Sequence, residues 1–382
     1  MWGIISSTFL GIYCLISVYI ARRGWSVLKA SKKIIQRIYW FCFGILVLAF
    51  PITEIGQGFI PLINKVWIST CGWYSMLAVV YIFFFLLLAD LVQLLDKYLR
   101  FVPKVIKHHN RTPLIIGCLI LLLVFSTLTY GTYNAQNPVI TRYELSVDKS
   151  APSLNQLRVA MISDIHYGKI VDVQRLNKMV NSINELNPDV IVIDGDICDS
   201  TVNQQEFQQL LEAFKQLHSK YGVFAVPGNH DRWARDDNQV RLMKEAGVNV
   251  LRDQYIKVEN SFYMIGRDNP SRRGGGNTEG RKELGDLTKG VDSSLPLILL
   301  DHQPLELETA QQNQIDLQLA GHTHEGQIFP GNLITKLVYE IDWGYLKKGN
   351  YNLIVSSGYG TWGPPLRIGT HSEIVCATIR FK

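Results

Sequence analysis

Acidic residues are missing from Arg22 to Arg37, cysteines are few, and long apolar runs end before Ser150. Each shortage excludes something. The first apolar stretch has no basic segment ahead of it and no small-residue cleavage site before Arg22, so it reads as a retained helix and not a signal peptide. Of the six cysteines, Cys14, Cys42, Cys71 and Cys118 fall in apolar stretches, and Cys198 and Cys376 stand at no metal or disulfide spacing, which leaves a bridge between them open. The net charge is only +5, and basic loops near the N-terminus largely account for it, so nothing indicates a polyanionic partner such as nucleic acid. No internal repeat is evident.

What the chain does have is uneven hydrophobicity. Four apolar stretches, Trp2 to Ile20, Ile38 to Ile60, Trp67 to Leu95 and Pro113 to Tyr130, are each about as long as the roughly 20 residues that cross a bilayer. Arg22, Arg23, Lys29, Lys32, Lys33 and Arg37 separate the first two. Lys97, Arg100, Lys104, Lys107 and Arg111, against Asp96, separate the last two, whereas the middle connection carries only Lys65. Basic loops stay in the cytoplasm, so the expectation is a multi-pass cell-membrane protein with both termini outside and everything after Tyr130 extracytoplasmic. A cytoplasm-facing soluble part would follow if the first stretch were cleaved or failed to insert. Glu54 and Asp90 lie near the ends of their stretches and read as interfacial or snorkelling residues.

The expected domains are a four-helix transmembrane region over 1–131, a linker or a strand leaving the membrane over 132–152, and a soluble domain over 153–382. In that domain "LRVAMISD", "DVIVIDGD", "GVFAVPG", "PLILLD" and "LQLAG" read as buried strands, with helices around Val173 to Ile183 and Phe207 to Leu217. Strands alternating with helices imply parallel pairing and a layered α/β fold.

Polar residues gather where those strands stop: Asp164 and His166, Asp196, Asn229 with His230 and Asp231, His302, then His322 and His324. Ligands of α/β sheets collect beyond the carboxyl ends of the strands. Four histidines, two aspartates and an asparagine are too many for one zinc ion, which takes three protein ligands in catalytic sites. They suit two divalent ions, manganese, iron or zinc by their mixed nitrogen and oxygen donors, which can hold a hydroxide between them for attack on phosphorus.

In order along the chain, "DIH" at 164–166, "GDICD" at 195–199, "GNHD" at 228–231, His302 and "GHTH" at 321–324 resemble the signature of the calcineurin-like metallophosphoesterases. "GHTHEGQIFP" and "SSGYGTWGPPLRIGTHSEI" look most like a bacterial membrane-associated branch with enzymes similar to UDP-diacylglucosamine pyrophosphohydrolases. The resemblance, over roughly residues 157–380, implies a layered β-sandwich with flanking helices, here preceded by four transmembrane helices. It implies that Asp164, His166 and His324 hold one metal, that Asn229, His302 and His322 hold the other, and that Asp196 bridges. His230 would be the catalytic histidine, oriented by Asp199, with Asp231 bracing the loop. An extended loop would let His322 and His324 point the same way toward adjacent ions, with Gly321 permitting close approach.

Two departures matter. Ser200 and Thr201 stand where protein phosphatases of the family have Arg-Gly, which weighs against that class, and Glu325 puts an extra carboxylate beside the histidines. Arg267, Arg272 and Arg273, on a Gly/Arg-rich loop, read as a clamp for a substrate diphosphate or as an ordinary solvated loop. Cys198 reads as a small core residue, and His371 as lying outside the site. The expected activity is metal-dependent hydrolysis, of phosphodiesterase or pyrophosphatase type, on a phosphate ester that is lipid-linked or envelope-derived. The rival reading is a non-catalytic lipid-binding or signalling membrane module with a metal-stabilised sensor domain.

Overall fold

The computed structural model describes residues 2–56, 62–168, 170–199, 202–269 and 281–382, in two compact units, Met1–Tyr130 and Gly131–Lys382. The first unit is helical: α1 (Trp2–Leu28), α2 (Lys33–Gly56), α3 (Leu62–Leu99), the short α4 (Lys104–His108) and most of α5 (Thr112–Gln136). Among the described residues, three helices are long and apolar enough to cross a membrane, over Lys33–Glu54, Trp67–Leu99 and Thr112–Gln136. The fourth expected span, Trp2 to Ile20 in α1, is helical and is not among these three, so three candidate spans and not four stand among the described residues. Asp90 on α3 takes a 2.5 Å ion pair from Arg23 and a hydrogen bond from Tyr19, both on α1, so this carboxylate ties two helices together.

The second unit stacks two six-stranded sheets. One runs in the order β1 (Val139–Val147), β12 (Glu373–Phe381), β2 (Gln156–Ile162), β3 (Val190–Asp194), β4 (Val223–Val226) and β5 (Val248–Val250). The other runs β10 (Gly344–Lys348), β11 (Tyr351–Val355), β9 (Leu317–Ala320), β8 (Leu297–Leu300), β7 (Phe262–Gly266) and β6 (Gln254–Val258). Both sheets are mixed: β12 with β2, β6 with β7 and β10 with β11 pair antiparallel, and the expected parallel pairing holds for the other neighbours, the edge pairs β1 with β12 and β4 with β5 included. Five strands were expected where the structure has twelve among its described residues. Short strands such as β5 and exposed ones such as β10 carry too little apolar pattern to stand out. Residues 132–152 are not a free linker. They hold the end of α5 and the edge strand β1, which pairs with β12 from Val139 opposite Glu373 to Val147 opposite Phe381.

Alternation along the strands builds the layers. On β2, Val159 and Met161 face the second sheet, with Val192, Phe224, Met264 and Leu319 in the same buried cluster. Ala160 and Ile162 face the other way, onto α6 (Val173–Glu185), α7 (Gln204–Phe214) and α8 (Asp237–Glu245). α6 buries Leu176, Met179, Val180 and Ile183 at helical spacing and is capped by Asp172, whose side chain accepts from the Arg175 N–H. α7 starts with a capping box between Asn203 and Glu206. The short helices α9 (Leu284–Thr288) and α10 (Leu307–Gln312) cover the outer face of the second sheet. α11 (Gly331–Val338) buries no residue at all.

Candidate metal centre

The carboxyl ends of β2, β3, β4, β8 and β9 deliver the polar residues. The turn after β2 is clamped between two neighbours: the N–H groups of Asp164 and His166 reach Gly195 O (3.0 Å) and Asp196 O (2.9 Å), while Tyr359 and Gly360 donate back to Ser163 O and Asp164 O. Asp164, His166, Asp196, His322 and His324 all have left-handed backbones, with φ from 47° to 71°. Such conformations cost non-glycine residues about 1–3 kcal/mol each and persist where the surroundings over-determine them.

Two groups of donors form there. Asp164, His166 and His324 are one, and Asp196, His302 and His322 the other, each with its ligand atoms within 4.8 Å of one another. They adjoin. Asp196 Oδ2 lies 3.4 Å from His302 Nε2 and 3.8 Å from His166 Nε2, and Asp164 Oδ1 lies 3.3 Å from His324 Nε2 and 4.0 Å from His302 Nε2. Asn229 is exposed on the turn after β4, next to His230.

The residues present fit divalent ions. Asp164 Oδ1 and His302 Nε2 are buried without a hydrogen-bond partner, although buried polar atoms are nearly always satisfied. His302 Nδ1 donates to Asp194 O at 2.7 Å, which leaves the lone pair on Nε2, facing the carboxylates. His166 Nδ1 is likewise turned to Asp199 Oδ1, at 3.1 Å. That is the orientation a metal-binding imidazole requires. Burial opposes charge on His302 and His166, yet the neighbouring aspartates push both upward, so the site favours positive charge at these nitrogens. Burial likewise works against the Asp196 carboxylate, but His302 and His166 hold it well below the ordinary range.

The resemblance implied that Asp199 orients His230; its carboxylate instead meets His166, whose Nδ1 lies 3.1 Å from Asp199 Oδ1. His230 is half-buried, its ring 5.2 Å from that of His166, and its N–H donates to Asp196 Oδ1 at 2.8 Å. Asp231 braces the loop, accepting from the N–H groups of Ile197, Cys198 and Gly228; burial and the nearby Asp196 push its carboxyl up to about 6.

The histidine loop is not extended. His324, Glu325 and Gln327 are left-handed in turn, with a 3₁₀ turn over His324–Gly326, so the loop's coil and not a strand alternation divides His322 from His324. A Cβ on Gly321 would lie 1.7 Å from Ser163 Oγ, which makes glycine obligatory there. Glu325 is half-buried; burial, then Asp342 and Glu373, raise it to about 7.

Arg267 is no substrate clamp. It is buried and paired with Asp301 (3.2 Å) and Glu306 (2.9 Å), and Arg281 joins the same two carboxylates. Arg272 and Arg273 lie outside the described residues, as do Ser200 and Thr201. Cys198 and Cys376 are buried free thiols, and His371 is exposed.

One contributor escaped sequence reasoning. Arg367, fully buried, donates to the carbonyls of Ser357 (2.6 Å), Gly360 (2.8 Å) and His324 (3.2 Å), and its Nη2 lies 3.3 Å from His324 Nδ1. Burial lowers it only to about 10, so it is charged at neutral pH. Its place in "PPLRIG", within a stretch rich in glycine and proline, was the available signal.

Residues 157–326 match the family model for calcineurin-like phosphoesterases. An uncharacterized metallophosphoesterase of Campylobacter jejuni is 30% identical, the alignment covering 99% of each chain. A zebrafish (Danio rerio) transmembrane protein with a metallophosphoesterase domain is 34% identical over 67% of this chain, which spans 61% of that relative's length. A dimetal phosphatase of the same fish, seen in a crystal structure, is 13% identical with a TM-score of 0.39, covering 59% of this chain and 99% of that one.

Proposed function

Since the chain belongs to the calcineurin-like metallophosphoesterase family, we propose that it is a metal-dependent hydrolase that cleaves a phosphate mono- or diester, or a pyrophosphate, at the membrane surface outside the cytoplasm. One observation carries this reading: two donor groups adjoin at the strand ends, with Asp164 Oδ1 and His302 Nε2 buried and without a hydrogen-bond partner. Asp164, His166 and His324 would hold one ion, His302, His322 and Asn229 the other, and Asp196, within reach of imidazoles of both groups, would bridge. Divalent ions bound there supply Lewis acidity and an activated water for in-line displacement at phosphorus.

The chain's own residues do the remainder. Asp199 and the Asp194 carbonyl fix the rings of His166 and His302 with Nε2 turned to the Asp196 carboxylate. His230, half-buried and tethered through its backbone N–H to Asp196, would give a proton from its imidazole to the leaving oxygen. Nitrogen and oxygen donors suit manganese, iron or zinc.

The membrane part of the reading rests on the apolar helices and on the basic loops beside them. Four spans, with α1 inserted, place residues 153–382 extracytoplasmically by the positive-inside rule. Anchoring raises local concentration for substrates at the bilayer, which favours a lipid-linked or envelope-derived ester, including nucleotide-lipid diphosphates. Purified full-length protein supplied with manganese should hydrolyse an aryl phosphodiester. His230→Ala should lower kcat by about 10² to 10⁴ while keeping its metal content. Full turnover in that variant removes His230 from the chemistry.

A further inference from the structure

Helix α11 is inside out. Leu333, Ile334, Leu337 and Val338 share one side of it, and Asn332, Thr335 and Tyr339 the other. The polar side faces the domain: Thr335 Oγ1 donates to Asp342 Oδ2 at 2.6 Å, Asn332 lies beside Gly369, and the Tyr339 ring is 6.3 Å from that of His322. The apolar side faces outward, with Leu337 88%, Val338 68%, Ile334 62% and Leu333 52% exposed. A helix on a soluble domain shows the reverse. Phe329, just before α11, and Trp362, 60% exposed and 6.2 Å ring to ring from His230, extend exposed apolar surface around the metal centre. Contiguous apolar surface of this kind marks an interaction site.

Continuity with a membrane helix identifies what covers it. The last residues of α5, itself long and apolar enough to span, rest on the segment that also carries α11. Arg367 N donates to Gly131 O at 2.9 Å, and Asn134 reaches Arg367 O. From the other side, Phe329 N donates to Ile368 O at 2.8 Å, and Ile368 N to Gln327 O at 3.1 Å. The end of a bilayer-spanning helix and the start of the inside-out helix are thus fastened to one strip, Arg367–Ile368.

We infer that α11 docks into the bilayer interface, its leucine, isoleucine and valine side chains among the acyl chains. The loop bearing His322 and His324 then stands at headgroup level, where lipid phosphoesters lie. An interfacial helix with one apolar face has this chemistry. The docking itself does not require the substrate to be a lipid.

Full-length protein reconstituted in phosphatidylcholine and phosphatidylglycerol vesicles, doped with a phospholipid bearing a photoactivatable acyl chain, provides the test. After irradiation, peptide mapping should find label on residues 331–338 as well as on α3. Ile334→Asp combined with Leu337→Asp alters only exposed side chains. It should cut the α11 label by at least about tenfold, leaving α3 labelling and hydrolysis of a soluble aryl phosphodiester unchanged. Unlabelled α11 beside labelled α3 overturns the proposal. So does a double variant labelled like the parent. The label is read whether or not any ester is hydrolysed, so failure of the enzymatic reading leaves this result intact.

Discussion

Asp164, His166 and His324 sit behind a screen of side chains, whereas Asp196 and His302 lean on main-chain groups. Asp199 backs His166, Ser163 hydrogen-bonds Asp164, and Arg367 lies under His324. In the second group, His302 leans on the Asp194 carbonyl and Asp196 accepts the His230 N–H. The first group is wholly buried, while the second includes half-buried His322 and lies near exposed Asn229. The difference sets a wholly buried group held by side chains beside a group that reaches the surface at His322. It also locates vulnerability, since the inner group can be weakened through residues that are not themselves donors.

Asp196, which touches both groups, sets the largest expected effect. Asp196→Ala should lower kcat/KM on an aryl phosphodiester by about 10³ or more and reduce bound metal, measured by elemental analysis. If metal content stays at the parent value, Asp196 is not the shared donor. Arg367→Ala strands several buried carbonyls and should cost about 3 kcal/mol of stability, seen as a lower unfolding midpoint of the detergent-solubilised protein. Arg367→Lys should recover only part of that, because an ammonium cannot span the same fork of acceptors. Recovery to the parent value would mean that Arg367 acts by charge alone. Asp199→Asn should weaken metal binding by about 10- to 100-fold, read by metal titration with the fold intact. An Asp199→Asn protein with parental metal affinity erases the contrast between side-chain and main-chain support.

Much of the centre was legible because its chemistry is local. A carboxylate or imidazole one or two residues past a buried apolar run is visible in sequence, and the run itself says that it ends at a sheet edge. Hence Asp164, His166, Asp196, His302, His322 and His324 could be picked out before any coordinate, and the structure gathers them. The central strands β2, β3, β4, β8 and β9 were equally plain, being short and mostly apolar. β12 was not, although mostly buried, because Glu373, Thr378 and Arg380 interrupt its apolar run.

Pairings over long sequence separation were beyond reach. Asp199 stands nearer His230 than His166 along the chain, yet its carboxylate meets His166, because the two loops are clamped side by side by Tyr167 and Asp199 main-chain bonds. Arg267 looked free in a loop rich in glycine and arginine until Asp301 and Glu306 claimed it. The sequence by itself determined the residue types at the strand ends, the apolar helices and the amphipathic pattern of α11. Only the tertiary structure decided which carboxylate holds which imidazole and that α11 turns its apolar face away from the domain. Composition and periodicity fix what a segment offers, whereas its partner depends on where the rest of the chain places the complementary surface.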